Sequence, residues 1–234
     1  MAGLKHPGNT KRKPEDTWTA VDRYLDGLLI PPDAALEATV AESAKAGLPD
    51  IAVSPSQGKL LHLLAKMQGA RRILEIGTLG GYSTIWLARA LPARGRLVTL
   101  EAEKEHAEVA RKNIARAGLG GKVEVRLGPA LKTLSQMATE RKGAFDFVFI
   151  DADKENTAAY FETVLRLSRA GTVIVVDNVI RDGEVANAST TDPRVQGIRR
   201  FNAAAAKEKR VSATTVQTVG SKGYDGFALL LVLR

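Results

Sequence analysis

The sequence predicts a doubly wound α/β fold: a mostly parallel seven-stranded sheet, ended by a C-terminal antiparallel strand pair and preceded by N-terminal cap helices. Three observations predict it. Short apolar runs alternate with amphipathic stretches from about residue 70 to the end. Phe145–Ile150 and Thr172–Val176 are almost unbroken apolar runs, as parallel strands covered by helices on both faces are. The first run, Ile73–Ile76, passes directly into Gly77-Thr78-Leu79-Gly80-Gly81 and then into a helical stretch. Strand, glycine turn and helix is how an open α/β sheet makes a nucleotide-sized crevice at its strand ends.

Taken in order, residues 1–15 are rich in Gly, Pro, Lys and Asn and have little to bury, so a flexible tail is expected. Residues 16–69 then read as a helical cap. Val21, Tyr24, Leu25, Leu28 and Leu29 share one face at helical spacing, and Pro31-Pro32 stops that helix. Pro32 or Asp33 starts a second, which runs to about Ala46. Val53-Ser54-Pro55-Ser56 reads as a loop with the cap of a third, which carries Leu60, Leu61, Leu63, Leu64 and Met67 and ends near Gly69.

Residues 70–234 form the core of a single domain, with strands expected at 72–76, 96–100, 123–127, 145–150 and 172–176. Helices are expected at 82–90, 103–117, 130–140, 157–168 and 192–207. Residues 211–219 and 226–232 are extended and joined by Ser221-Lys222-Gly223, which suggests the antiparallel pair.

Composition narrows the function. The 234 residues are 44% hydrophobic and 26% charged, which is ordinary for a globular chain. The absence of cysteine excludes disulfide and thiol chemistry and fits a reducing cytoplasm. No apolar run approaches the roughly 20 residues that span a bilayer. The N-terminus lacks an apolar signal core, so a cytoplasmic protein without membrane partners is expected. Thirty-four Lys and Arg against 26 Asp and Glu give a net charge of +8. That balance suits either a nucleic-acid partner or simply solvated, arginine-rich helices, and the second is the plainer reading.

Three acidic positions fall at strand ends. Glu101 ends the second strand, where nucleotide folds place the acid that takes the ribose hydroxyls; a solvated acid at a helix start is the alternative. Asp151 and Asp177 end the fourth and fifth strands, and Asn178 follows Asp177. A carboxylate at the end of a buried strand is costly unless paired or metal-bound. Two carboxylates and an amide oxygen suit Mg²⁺, Mn²⁺ or Ca²⁺; two separate helix-capping acids would look the same in sequence. Lys154 lies in the same loop as Asp151 and is a candidate general base. The three histidines, His6, His62 and His106, are too scattered for a metal set. The turn's glycines at 77, 80 and 81 also lack the G-x-G-x-x-G spacing of a dinucleotide loop.

LEIGTLGGYS, VTLEAE, GPA, FDFVFIDADK and VVDNV occur in that order. Together they strongly resemble the cation-dependent class I S-adenosylmethionine O-methyltransferases, the caffeoyl-coenzyme A and catechol O-methyltransferase type, from about Val21 to the C-terminus. The resemblance implies a Rossmann-like class I methyltransferase fold, usually dimeric, binding S-adenosylmethionine and a divalent cation, Mg²⁺ first, with Mn²⁺ or Ca²⁺ as alternatives. It implies that Glu75, Gly77, Thr78 and Ser83 line the methionine and sugar region. Val53 would contact the methionine end through its backbone, Glu101 would hold the ribose, and Gly128, Pro129 and Ala130 would flank adenine. Asp151, Asp177 and Asn178 would bind the cation, with Asp151 also near the cofactor. Lys154 would be the base, and Tyr160 would touch the cofactor or the pocket wall.

The substrate implied is a small phenolic molecule with vicinal hydroxyls. A transfer RNA carrying a hydroxylated uridine is the alternative, because some relatives of this kind act there and the tail is basic; a non-catalytic module keeping the fold is a third. The chain departs from the plant pattern after the DN pair. It reads Val179-Ile180-Arg181-Asp182-Gly183 where plant enzymes of the coenzyme A ester type place a tryptophan. A charged wall there points to an acidic or more polar catechol. The glutamate that catechol-type enzymes hold near the second hydroxyl has only Glu184 as a candidate.

Overall fold

The computed structural model describes residues 13–140 and 143–234. Its seven strands are β1 (Arg72–Ile76), β2 (Arg96–Glu101), β3 (Val123–Leu127), β4 (Phe145–Ile150), β5 (Ser168–Asp177), β6 (Val211–Gly220) and β7 (Gly223–Val232). They form one sheet in the order β3-β2-β1-β4-β5-β7-β6. The five strands from β3 to β5 pair in parallel, whereas β7 runs antiparallel to both β5 and β6. The chain order reverses between β1 and β4, so the crevice expected of such a sheet opens at the carboxyl ends of these two strands.

The side-chain period of a strand sorts the core into two layers. In β1 and β4, Leu74, Ile76, Val148 and Ile150 face one side, packed with α6 (Ala130–Thr139), α7 (Thr157–Arg166) and α8 (Pro193–Lys207). Ile73, Phe147 and Phe149 face the other, against α3 (Pro55–Met67), α4 (Tyr82–Ala90) and α5 (Lys104–Arg116). Phe147 and Phe149 are fully buried, and each contributes about 1.5–3 kcal/mol through the apolar surface it removes from water. Of the remaining helices, α2 (Ala34–Lys45) adds the buried Leu36 to the second layer, whereas α1 (Pro14–Leu29) has no buried residue.

Local chemistry sets the helix ends. Asp33 caps α2 by accepting from the Ala35 and Leu36 N–H groups, and its carboxylate also takes the Arg89 fork, tying α2 to α4. Ser54 Oγ accepts the Gln57 N–H at 3.2 Å, and Pro55 occupies the first turn of α3. Asp192 and Pro193 start α8 in the same way.

Several boundaries differ from the sequence expectation. Helix α1 begins at Pro14, inside the 1–15 span expected to be a tail, whose residues 1–12 lie outside the described residues. Helix α7 ends at Arg166 because Ser168 already pairs with Phe145 and starts β5. The Ser168–Gly171 part of β5 is largely exposed, so no apolar pattern marked it. The β6–β7 turn is tighter than expected, with Gly220 paired to Gly223. Two short 3₁₀ turns, Lys154–Asn156 and Glu184–Ala186, lay hidden in sequence.

Candidate active site

The site grows from the end of β1. Gly77 has φ +97°, and a Cβ there would overlap the Asp151 carbonyl oxygen. Only glycine lets the turn pass that close to β4. Gly77 N–H donates to Leu100 O at 3.0 Å and Asp151 N–H to Ile76 O at 2.8 Å, so the ends of β1, β2 and β4 are fixed together.

Glu101, at the end of β2, is 8% exposed. Its Oε2 accepts the Thr78 and Leu79 N–H groups at 3.1 and 2.8 Å, and its Oε1 accepts Glu103 N–H at 3.0 Å. His106 Nδ1 stands 3.7 Å from the same Oε1. The carboxylate thus clamps the glycine turn and still keeps lone-pair capacity towards the cavity.

Glu75 does not reach the cavity wall. It is fully buried beneath the turn and accepts hydroxyl hydrogen bonds from Ser83 and Thr84 of α4. Burial pushes its carboxyl up to about 7, against the pull of those hydrogen bonds.

At the end of β4, Lys154 Nζ donates to Asp151 Oδ1 at 2.7 Å, with the two side chains 11% and 25% exposed. Tyr160 is buried, and its hydroxyl donates to Asp153. Burial, then Asp153, pushes the phenol well above its usual range. Gly197 of α8 packs so closely on this loop that a Cβ there would overlap the Lys154 carbonyl oxygen. That contact fixes the turn from which Lys154 projects.

At the end of β5, Asp177 is 4% exposed. Its Oδ1 accepts Asn178 N–H at 2.8 Å and its Oδ2 accepts Gln57 Nε2 at 2.6 Å. Burial first, then the charge of Asp151, raises the Asp177 carboxyl above its ordinary range. Two carboxylates have been brought together at adjacent strand ends, where a cation would offset their repulsion. The donor set of Asp151, Asp177 and the Asn178 amide fits a hard divalent ion. Among the described residues no cluster of three or more His, Cys, Asp or Glu side chains forms a metal site, so such an ion would depend on the amide and on water or substrate.

Two cavities open on these residues. The larger, about 800 Å³, is lined by Val53, Gly77, Thr78, Ser83, Glu101, Pro129, Ala130, Asp151, Lys154, Tyr160 and Asn178. The second, about 530 Å³, shares Val53, Asp151, Asn178 and Arg181 with it and adds Asp177 and Gln57. The structure therefore brings together every site residue expected from sequence except Glu75, which lies underneath, and Gly128, which precedes Pro129 outside the lining. Sequence reasoning gave no role to Tyr82 and His106, which line the larger cavity, or to the Gln57 amide that holds Asp177. The Gln57 contact joins residues far apart in the chain and has no periodic signal. Glu184 is exposed and lines neither cavity, so the structure gives it no place at the site.

Known proteins are similar to this chain in sequence and in fold. The family model described as O-methyltransferase matches residues 32–231. A catechol O-methyltransferase of Niastella koreensis is 55% identical over 213 residues, covering 91% of this chain and 96% of that protein. A catechol O-methyltransferase of Mycobacterium tuberculosis is also 55% identical, covering 91% and 94%. Among solved structures, an O-methyltransferase from Bacillus cereus in complex with SAH superposes with a TM-score of 0.92 at 61% identity, over 93% of this chain and 99% of that one. An O-methyltransferase of tomaymycin synthesis from Streptomyces achromogenes, in complex with SAM, gives 0.92 at 49% identity over 95% and 100%. The nucleotide crevice, the acid at the end of β2 and these relatives lead to one conclusion: the chain belongs to the O-methyltransferase family and is an S-adenosylmethionine-dependent enzyme of it.

Proposed function

We propose that the chain methylates one hydroxyl of a catechol-like small molecule and that this reaction depends on a divalent cation, Mg²⁺ first. The observation that carries the reading is the meeting of Asp151, Asp177, Asn178 and Lys154 where the two cavities join. The names of the two catechol O-methyltransferases at 55% identity support it.

Each residue then has a task. Glu101 takes the ribose hydroxyls, Pro129 and Ala130 flank the adenine with Gly128 behind them, and Tyr160 closes the wall. Val53, Gly77, Thr78 and Ser83 surround the methionine end, and Glu75 holds Ser83 in place from below. S-Adenosylmethionine supplies an electrophilic methyl, and a divalent cation would supply positive charge that stabilises a deprotonated hydroxyl. Asp151, Asp177 and Asn178 would hold that cation, with the Gln57 amide orienting Asp177. Lys154, after losing its own proton to become the neutral amine, accepts the proton of the attacking hydroxyl on Nζ. The walls contributed by the cap exclude water and keep oxygen and methyl in line.

Methylation of catechol, followed with and without EDTA, tests the reading. Activity is expected to vanish in EDTA, to return with Mg²⁺, and to fall at least about a hundredfold in Asp177→Ala. Full activity in EDTA would remove the cation from the mechanism. No feature of the cavities and no relative named above favours the transfer RNA reading.

We further propose a homodimer formed through the cap. Helix α1 has no buried residue, and Tyr24, Leu28 and Leu29 are each more than 60% exposed. Sedimentation equilibrium decides it: a monomer at micromolar concentration ends the proposal.

A further inference from the structure

The two cavities share a cation, Arg181, that is held by one loose ion pair and no side-chain hydrogen bond among the described residues. Arg181 lines both cavities, and its side chain is 23% exposed. Its backbone is in the left-handed region at φ +54°, between Asn178 at +57° and Asp182 at +55°. Asp225 holds this strained loop by accepting the N–H groups of Ile180, Arg181 and Gly226 on Oδ1 at 2.9–3.1 Å.

The Arg181 guanidinium itself makes no hydrogen bond among the described residues. Its Nε is buried without a partner, and its Nη1 stands 3.7 Å from Asp225 Oδ2, beyond hydrogen-bond distance. Arg89 forks onto Asp33 and Arg126 bonds Glu124 and Glu140, and although Arg72 Nε is also unpartnered, its guanidinium lies over the Phe145 ring and lines neither of these cavities. The carboxylates around Arg181 are committed elsewhere. Asp22 accepts Ser221 N–H, Asp50 pairs with Lys222, Asp151 with Lys154, and Asp177 with Gln57 and Asn178. Asp182 is exposed. A mostly buried guanidinium with free donors is under-satisfied, and a planar anion is the partner its fork matches.

We infer that Arg181 selects the substrate, and that the substrate is a catechol bearing a carboxylate, which Arg181 receives while the two hydroxyls lie toward Asp151, Asp177 and Asn178. This inference rests on the proposed O-methylation, and it adds the chemical class of the ring substituent. The carboxylate replaces the loose contact with Asp225 by charge-assisted hydrogen bonds to the guanidinium. Asp225 keeps its three backbone donors and continues to hold the loop.

Calorimetry on the SAH-loaded protein with Mg²⁺ tests it without requiring turnover. The probes are 3,4-dihydroxybenzoate, unsubstituted catechol and a catechol carrying an alkylamine. The native protein is expected to bind the acid at least about tenfold more tightly than catechol, and the amine more weakly than either. In Arg181→Gln the ratio between acid and catechol collapses toward one, and Arg181→Lys retains part of it. Thermal unfolding of each variant checks the fold, and if Arg181→Gln does not fold, the lysine variant and the native ratios decide. No preference for the acid in the native protein, or a preference that survives in Arg181→Gln, overturns the inference. Steady-state kinetics separate the two readings. Catechol turnover without acid preference defeats the Arg181 assignment alone, whereas absence of turnover on every catechol defeats the methylation reading.

Discussion

The two cavities that meet at Asp151 are built in different ways. The larger rests on consecutive strand ends and a single glycine turn, stiffened by buried polar groups: Glu75, Thr78, Thr99 and Glu101 are all under 9% exposed. Glu75 is bonded by Ser83 and Thr84 of α4, Thr78 by Thr99 of β2, and Glu101 by the turn residues Thr78 and Leu79 and by Glu103. The smaller is assembled from segments far apart in the chain: Asp22, the 50–54 loop with the start of α3, the end of β5 with the 178–182 loop, and the β6–β7 hairpin. Its joints are largely exposed, such as the Lys222–Asp50 pair at 48% and 93%. An exposed pair of that kind contributes little, typically under about 1 kcal/mol. The cofactor side is therefore a rigid part of the fold, and the other side is a set of surface loops where a change of substituent costs little stability. That division lets one scaffold keep its methyl donor while the acceptor varies.

The sharpest way to break the contrast is Gly77→Ala. The new Cβ meets the Asp151 carbonyl in a backbone conformation that alanine avoids. A loss of at least about 3 kcal/mol is expected, with S-adenosylmethionine binding lost alongside it. A melting temperature within about 2 °C of the native protein would contradict the rigid turn.

A smaller effect comes from Glu75. Its folded-state value of about 7 lies above the ordinary carboxylate range, so near neutrality the folded chain holds a proton that the unfolded chain has lost. The contribution is fully present below the unfolded value and lost as pH rises towards 7. Urea unfolding should show stability falling with pH by on the order of 1 kcal/mol per unit from this group. Glu75→Gln should flatten that slope. Asp177 is shifted in the same direction, so the difference between the two proteins isolates Glu75. Equal slopes would show that Glu75 is ionised in place.

The smallest effect on the fold is expected in the cap. Leu28→Asp on α1 should change monomer stability by less than about 0.5 kcal/mol, because Leu28 is 64% exposed. The same change should halve the mass seen at sedimentation equilibrium if the cap joins two copies. An unchanged mass would remove Leu28 from any interface.

Much of the cofactor side was legible in advance because its residues are sequential. Glycines sit beside an apolar run, Glu101 and Asp151 come where such runs stop, and these patterns survive in one dimension. The short 3₁₀ turn at Lys154 and the early start of β5 were not legible, since neither carries an apolar period. Glu75 read as a cavity residue because it sits in the same motif as Gly77. The strand's two-residue period turns it instead onto the α4 side, where hydroxyls from Ser83 and Thr84 receive it.

The sequence by itself determined the fold, the methyl donor and the family, because hydrophobic period and strand-end chemistry are local properties. Only the tertiary structure decided which polar groups find partners. Gln57 is bonded to Asp177, Asp225 clamps the 178–183 loop, and Arg181 is left with free donors. Each of these depends on where distant segments meet, and hydrogen bonding across such distances leaves no period in the chain.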